Sequence, residues 1–256
     1  MIEIKPVHAF RDNYIWLVIN TRNRTVAIVD PGDATPVIDT IKKSQLTPVA
    51  ILVTHHHPDH IGGINTLLQY YQIPVYGPAH ESIPGKTHPL AEGAVISPEG
   101  LDQEFFIIDV PGHTKGHIAY YGGGNLFIGD TIFMAGCGRL FEGTAAQLYH
   151  SINKVAKLPN ETVVYCTHEY TLANLRFARA VEPENTYITA RIETCTKLRE
   201  KNIPTVPGTL ACEKTTNPFL RTHVDEVIFA AEKFAGHKLD HAVDVFTILR
   251  KWKDQF

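Results

Sequence analysis

Short runs of β-branched and aromatic residues, separated by polar turns, recur through the first part of the chain. Ile2-Glu3-Ile4, Tyr14 to Ile19 and Val26 to Val29 predict strands. Asp30-Pro31-Gly32-Asp33 then breaks the third run with turn chemistry. Val37, Ile38 and Ile41 fall at helical spacing before an apolar run over Val49 to Val53, which gives a strand-helix-strand unit. Ile64, Leu67, Leu68 and Tyr71 predict an amphipathic helix, followed by a strand at Pro74-Val75-Tyr76; the Pro- and Gly-rich stretch from 77 to 100 reads as surface loop and short strand. Strands are expected again at Phe105 to Val110, His117 to Tyr121, Asn125 to Ile128 and Val163 to Cys166. After Tyr170 the pattern turns helical. Ile188, Ile192, Cys195 and Leu198 share one face, as do Val224, Val227, Ile228 and Ala231, and then Ala242, Val245, Phe246 and Leu249. Thr222-x-x-Asp225 resembles a capping box at one helix start. A boundary is expected near Tyr170-Thr171, dividing a mixed α/β domain (1–170) from a helical domain (171–256).

A chain of 256 residues with 44% hydrophobic and 20% charged content can bury a sizeable core, so disorder is not expected. The formal net charge of -3 gives no bulk reason to expect a nucleic-acid or anionic-membrane partner. The start Met1-Ile2-Glu3-Ile4-Lys5 lacks a signal-peptide pattern and no window approaches a membrane span, so a cytoplasmic protein is expected. Cys137, Cys166, Cys195 and Cys212 are scattered, which argues against a disulfide framework and a zinc ribbon.

The chemistry gathers in Val53 to Gly63, VTHHHPDHIGG, which carries His55, His57, Asp59 and His60 as H-x-H-x-D-H. Imidazole nitrogens and a carboxylate suit zinc, and iron and manganese accept the same set. Four donors in six residues exceed what one ion readily takes from so short a segment, and alternate residues of an extended segment share a face. The spacing therefore points to two metal ions. A lone histidine would read better as a solvated loop, but this cluster follows a buried strand and precedes Gly62-Gly63, a sign of close backbone approach or of a sharp strand-to-helix turn. Three further strands end the same way, on His113, on Asp130 and on His168. Asp130 is the candidate bridge, because a carboxylate has two oxygens to share. His117 reads as an orienting or packing residue, and His80 and His88 as non-ligands. Asp30 is either a turn cap or a group that orients a ligand.

With those residues in hand, the chain resembles the metallo-β-lactamase superfamily and, within it, the glyoxalase II branch of hydroxyacylglutathione hydrolases. H-x-H-x-D-H carries the superfamily. The branch is carried by Phe10-Arg11-Asp12-Asn13-Tyr14-Ile15-Trp16, Gly129-Asp130-Thr131, Ala135 to Thr144, Thr167-His168-Glu169-Tyr170-Thr171, Asn217-Pro218-Phe219-Leu220-Arg221 and Lys253-Asp254-Gln255-Phe256. The resemblance implies a four-layered αββα sandwich with a helical C-terminal domain. It implies that one metal takes His55, His57 and His113, that the other takes Asp59, His60 and His168, and that Asp130 bridges. Pro58 departs from the small or polar residue usual there and should stiffen the loop.

The implied reaction is hydrolysis of a glutathione thioester, chiefly S-D-lactoylglutathione, by water activated between two divalent ions, with zinc the expected metal. Asp59 and Asp130 are the expected catalytic residues. Arg139, Phe141 (through its backbone), Tyr170, Arg250 and Lys253 are the expected glutathione contacts in a monomer. Arg139 stands where other members have lysine. Without the resemblance, Arg250 and Lys253 would read as a solvated helix end, where cations are favoured by the dipole. Three alternatives are a one-iron persulfide dioxygenase, a nucleic-acid enzyme on the same fold, and a metal-stabilised module without catalysis. The complete donor set, the acidic balance and the absence of cysteine donors count against them in turn.

Overall fold

The computed structural model describes Met1–Phe256. Its backbone packs as two compact units, Met1–Asp109 with Gly116–Gly129, and Val110–Lys115 with Asp130–Phe256. The first unit contains β1 (Ile2–Ala9), β2 (Asn13–Asn20), β3 (Thr25–Val29), α1 (Ala34–Ser44), β4 (Thr47–Leu52), α2 (Pro58–Ile61), α3 (Ile64–Tyr70), β5 (Val75–Pro78), β6 (His88–Leu90), β7 (Val95–Ile96), β8 (Phe105–Asp109), β9 (Ile118–Gly122) and β10 (Asn125–Gly129).

Strands β1 to β6 form one sheet in sequence order, antiparallel from β1 to β3 and parallel from β3 to β6. The parallel pair β3 and β4 needs a crossover, which α1 supplies. Helix α1 starts on Asp33, whose side chain accepts from Thr35 N–H at 2.9 Å, and ends with Lys42 and Lys43 in its last turn. Strand β1 runs five residues past the predicted Ile4 and passes through Pro6, which an edge strand tolerates because it has only one neighbour to bond. Every residue of β2 is buried. Ile15, Leu17 and Ile19 join Val37, Ile41, Ile51, Ile64 and Leu67 in a core beneath α1 and α3. Tyr14, Trp16 and Val18, on the opposite face, are as deeply buried. Truncating a fully buried leucine such as Leu17 to alanine costs about 2–5 kcal/mol. Strands β10-β9-β8-β7 form an antiparallel sheet, tied to the first where Tyr120 donates its hydroxyl to Val53 O at 2.8 Å.

The second unit contains β11 (Ile132–Phe133), β12 (Gly136–Cys137), α4 (Ala145–Val155), β13 (Val163–Cys166), α5 (Thr171–Val181), α6 (Thr186–Glu200), β14 (Gly208–Thr209), α7 (Leu210–Thr216), a 3-10 turn (Pro218–Leu220), α8 (Asp225–Ala235) and α9 (Ala242–Gln255). Strands β11 and β12 make a short hairpin, and β13 pairs with β14. The three predicted helical patterns are α6, α8 and α9. Helix α4 begins on a true capping box, Thr144 with Gln147. The box expected at Thr222 does not form. Thr222 is buried, the α8 cap is Val224 with no side-chain bond, and Asp225 and Glu226 meet the helix dipole in the first turn instead. Leu175, Ala178, Ile188 and Cys195 pack α5 on α6, while Phe177, Phe219 and Phe246 meet ring to ring. No helix is long and apolar enough to cross a membrane.

Candidate metal centre and adjoining cavity

In the first unit, β4 leads through Val53 and Thr54 to the donors, and the Asp30 carboxylate anchors that strand exit. Its Oδ1 accepts Thr54 N–H at 2.7 Å and its Oδ2 accepts the Thr54 hydroxyl at 2.8 Å. Because that hydroxyl proton goes to Asp30, the Thr54 oxygen is the acceptor for His55 Nδ1, 3.1 Å away. Asp30 Oδ2 also lies 3.1 Å from His60 Nδ1. The Thr54 contact holds His55 as the tautomer whose Nε2 lone pair can bind a metal, and the nearby Asp30 carboxylate favours the proton of His60 on Nδ1. Of the two readings of Asp30, orientation of ligands is the one its contacts match. Asp30 itself sits at φ +50°, a conformation unusual for a non-glycine residue, with its N–H bonded to Leu52 O.

The donor atoms of His55 and His57, of His55 and His60, and of Asp59 and His60 lie within 4.8 Å of one another. Asn13 donates to Asp59 Oδ2 at 3.0 Å, an aligning contact between residues far apart in sequence. Pro58 is the first residue of α2, where its missing N–H costs nothing. Gly63 must be glycine, since a Cβ there would lie 2.6 Å from Ala34 N. His117 is buried and stacks on His55 with ring centroids 4.5 Å apart, in keeping with a packing role. His56 faces away from the donors to Glu81, which takes its N–H at 2.6 Å and lies 3.0 Å from its Nδ1. His80 and His88 are exposed, and His88 stacks on Tyr76.

In the second unit, Asp130 Oδ2 lies 3.5 Å from His113 Nε2 and 3.4 Å from His168 Nε2. These separations exceed the ~2.7–2.9 Å of a charge-assisted N–H···O bond. They match the ~3.3 Å between two donors that each sit ~2.0–2.1 Å from one tetrahedral ion. The residues present therefore fit a divalent metal. His113 Nδ1 donates to Arg139 O at 2.8 Å, which leaves Nε2 as its donor atom. The Tyr170 ring lies parallel to His168 at 4.7 Å, and Phe133 meets His168 edge-on at 5.7 Å. Gly138 allows the chain to pass over Asp130, where a Cβ would come within 1.9 Å of Asp130 O.

His113 and Asp130 open into a cavity of about 540 Å³, lined also by Phe133, Cys137, Arg139, Phe141, Tyr170, Ala173, Asn174, Arg250 and Lys253. Phe141 N–H donates to His113 O at 3.2 Å. Arg250 is only 4% exposed; its Nη1 donates to Cys137 O and its Nη2 to Asp254, each at 2.9 Å. It is not a solvated helix end. Burial lowers the Lys253 pKa, and the Arg250, Arg176 and Arg139 guanidiniums lower it further, which marks this wall of the cavity as cationic. Burial pushes the Cys137 thiol up to about 11 against the pull of Arg250. A larger cavity of about 840 Å³, between Ala180–Tyr187, Phe229, Phe234 and Trp252, holds none of the donors.

The Metallo-beta-lactamase superfamily model matches residues 9–168, and the chain belongs to that superfamily, a class of α/β sandwiches with clustered histidine and aspartate donors. A second model, described as the hydroxyacylglutathione hydrolase C-terminus, matches residues 169–256. The hydroxyacylglutathione hydrolase of Nitrosomonas europaea is 53% identical over 256 residues, covering 100% of this chain and 97% of its own length. That of Alkalilimnicola ehrlichii is 52% identical over 255 residues, covering 100% of both. Within the superfamily, the chain belongs to the hydroxyacylglutathione hydrolases. Among solved structures, ETHE1 from Myxococcus xanthus shares the fold with a TM-score of 0.68 at 22% identity, over 98% of this chain and 91% of that one. TTHA1623, crystallised in a di-iron-bound form, aligns with a TM-score of 0.60 at 26% identity, over 84% of this chain and all of that one.

Proposed function

We propose that the protein hydrolyses S-(2-hydroxyacyl)glutathione thioesters, chiefly S-D-lactoylglutathione, to glutathione and D-lactate, the second step of glutathione-dependent methylglyoxal detoxification. The observation that carries this reading is that one cavity holds both metal-type donors, His113 and Asp130, and a cationic wall, Arg139 and Lys253. A glutathione thioester has a carbonyl for the first and two carboxylates for the second. The full-length relatives that bear the hydrolase name support it.

In this reading His55, His57 and His113 hold one divalent ion, Asp59, His60 and His168 hold a second, and Asp130 bridges. Zinc suits the donor set, and iron or manganese would be accepted. When bound, two such ions supply water activated at neutral pH and polarise the carbonyl under attack. The chain's own residues do the rest. Asp30 and Arg139 O hold the imidazole tautomers, and Asn13 aligns Asp59, which orients the attacking water. Arg139, Lys253, Tyr170 and the Phe141 backbone seat the glutathione moiety, and Arg250 fixes the wall that carries Cys137. Residues 1–170 would be the catalytic domain and 171–256 the domain that receives glutathione. We further propose a cytoplasmic monomer; its cysteines are all free thiols, as a reducing compartment requires.

The experiment is a comparison of S-D-lactoylglutathione with the D-lactoyl thioester of N-acetylcysteamine, which lacks both carboxylates. Preference for the glutathione thioester by at least 100-fold in kcat/KM is expected. Equal rates would remove glutathione recognition from the account.

A further inference from the structure

The segment that opens on Asp130 reaches every candidate donor of its unit. Asp130 is its first residue, Arg139 O holds the His113 ring at 2.8 Å, and the Phe133 ring meets His168. Between Asp130 and Arg139 lies the β11–β12 hairpin, whose strands are two residues each. A hairpin so short does not hold itself. Its turn also places Ala135 at φ +57°, which a non-glycine residue keeps only where its surroundings enforce it.

Buried side chains supply that enforcement. Glu213 Oε2 accepts Ala135 N–H at 2.8 Å. Asn217 Nδ2 donates to Gly136 O at 2.9 Å and to Glu213 Oε2 at 3.0 Å, with Phe133 O sharing a proton at 3.3 Å. Asn174 Nδ2 donates to Met134 O at 3.1 Å. Glu213 is fully buried, and its other oxygen accepts from Arg191 Nη2 at 2.5 Å. A buried ion pair is weak evidence for stability, because an apolar pair of similar volume often serves as well. What the carboxylate offers, and an apolar side chain cannot, is an acceptor fixed in place beneath the Ala135 amide.

We propose that Glu213, held by Arg191, is a positioning residue: by fixing the Ala135 turn it sets where Asp130 lies and how the His113 ring is turned. The kinetic consequence rests on the hydrolase reading; the placement of the hairpin does not.

Two charge-free double variants separate this role from plain stability. R191M/E213Q keeps an acceptor for Ala135 N–H, whereas R191M/E213M removes it at similar volume. The first readout, on metal-free protein, is the reaction of Cys137 with a thiol reagent, because this buried thiol lies on the hairpin. The second is metal retained after dialysis against chelator, and the third is kcat and KM. The methionine double is expected to react at Cys137 at least 10-fold faster than the parent, to retain less metal, and to lose about 10–100-fold in kcat, the scale of a misplaced catalytic group. The glutamine double should stay within about 3-fold of the parent on the rates. Equal thiol reactivity and equal metal retention in the two doubles would overturn the proposal. If the methionine double fails to fold, Glu213→Asp draws the acceptor back by one methylene while keeping the charge. The same changes are then expected, and parent-like values would overturn the proposal. A parent without turnover would defeat the hydrolase reading, while the thiol and metal readouts would still decide this one.

Discussion

Asparagine at position 30 would disturb two candidate ligands at once without touching a metal. The amide can still accept Thr54 N–H through its oxygen, but it presents an NH₂ group where Oδ2 accepts the Thr54 hydroxyl and faces His60 Nδ1. The Thr54 hydroxyl must then turn its proton toward His55 Nδ1, which moves the ring proton to Nε2 and blocks the donor atom. Hydrogen bonds to a charged group contribute about 1.5–3 kcal/mol each. Loss of one outer partner of a metal ligand typically lowers metal affinity by ~10–100-fold, or about 1.4–2.7 kcal/mol at ~1.36 kcal/mol per decade. Asp30 serves two ligands, so D30N should lie near the upper end, at ~100-fold. Metal affinity is read by competition with a chromophoric chelator, with thermal unfolding of the metal-free protein as the control for folding. A folded D30N that binds metal within twofold of the parent would refute the orienting role.

The second unit offers three more perturbations. Asp130→Asn should reduce metal content and turnover together, since it removes the carboxylate facing both His113 and His168; a fully metallated, fully active variant would remove the bridging assignment. Lys253→Met should raise KM for the glutathione thioester by about 10-fold with little change in kcat, the signature of lost binding common to ground and transition states. The Lys253 pKa is lowered by burial and neighbouring cations. Its charge is therefore lost on the alkaline side earlier than that of an exposed lysine, so KM should rise there and K253R should delay the rise. Arg250→Met leaves buried Cys137 O without its donor, at a cost of about 1–3 kcal/mol. A fall of several degrees in Tm, absent in K253M, is expected from differential scanning calorimetry.

The candidate donors were legible because each apolar run that ends on His55, His113, Asp130 or His168 announces a strand, and histidines and carboxylates hung on strand exits stand out against a hydrophobic background. The helices α6, α8 and α9 were legible from their periodicity. Helix α4 was equally open to reading, since Thr144-x-x-Gln147 is a capping box before an apolar run. Thr222-x-x-Asp225 carries the same signature and forms no cap, because Thr222 is taken into the interior. Asn13 with Asp59, and Glu213 with Ala135, lie 46 and 78 residues apart, and no local pattern joins them. Thr54 was hidden for another reason: one hydroxyl between a buried valine and a histidine has no spacing to betray it, and its role depends on where Asp30 lies.

The central claim, a thioester hydrolase that works with two metals, is tested most directly by titrating metal-free protein with zinc while following S-D-lactoylglutathione through loss of the thioester absorbance, with bound metal counted on the same samples. Turnover that reaches its maximum near two ions per chain and disappears on chelation is predicted. Full metal occupancy without turnover of this thioester would contradict the account.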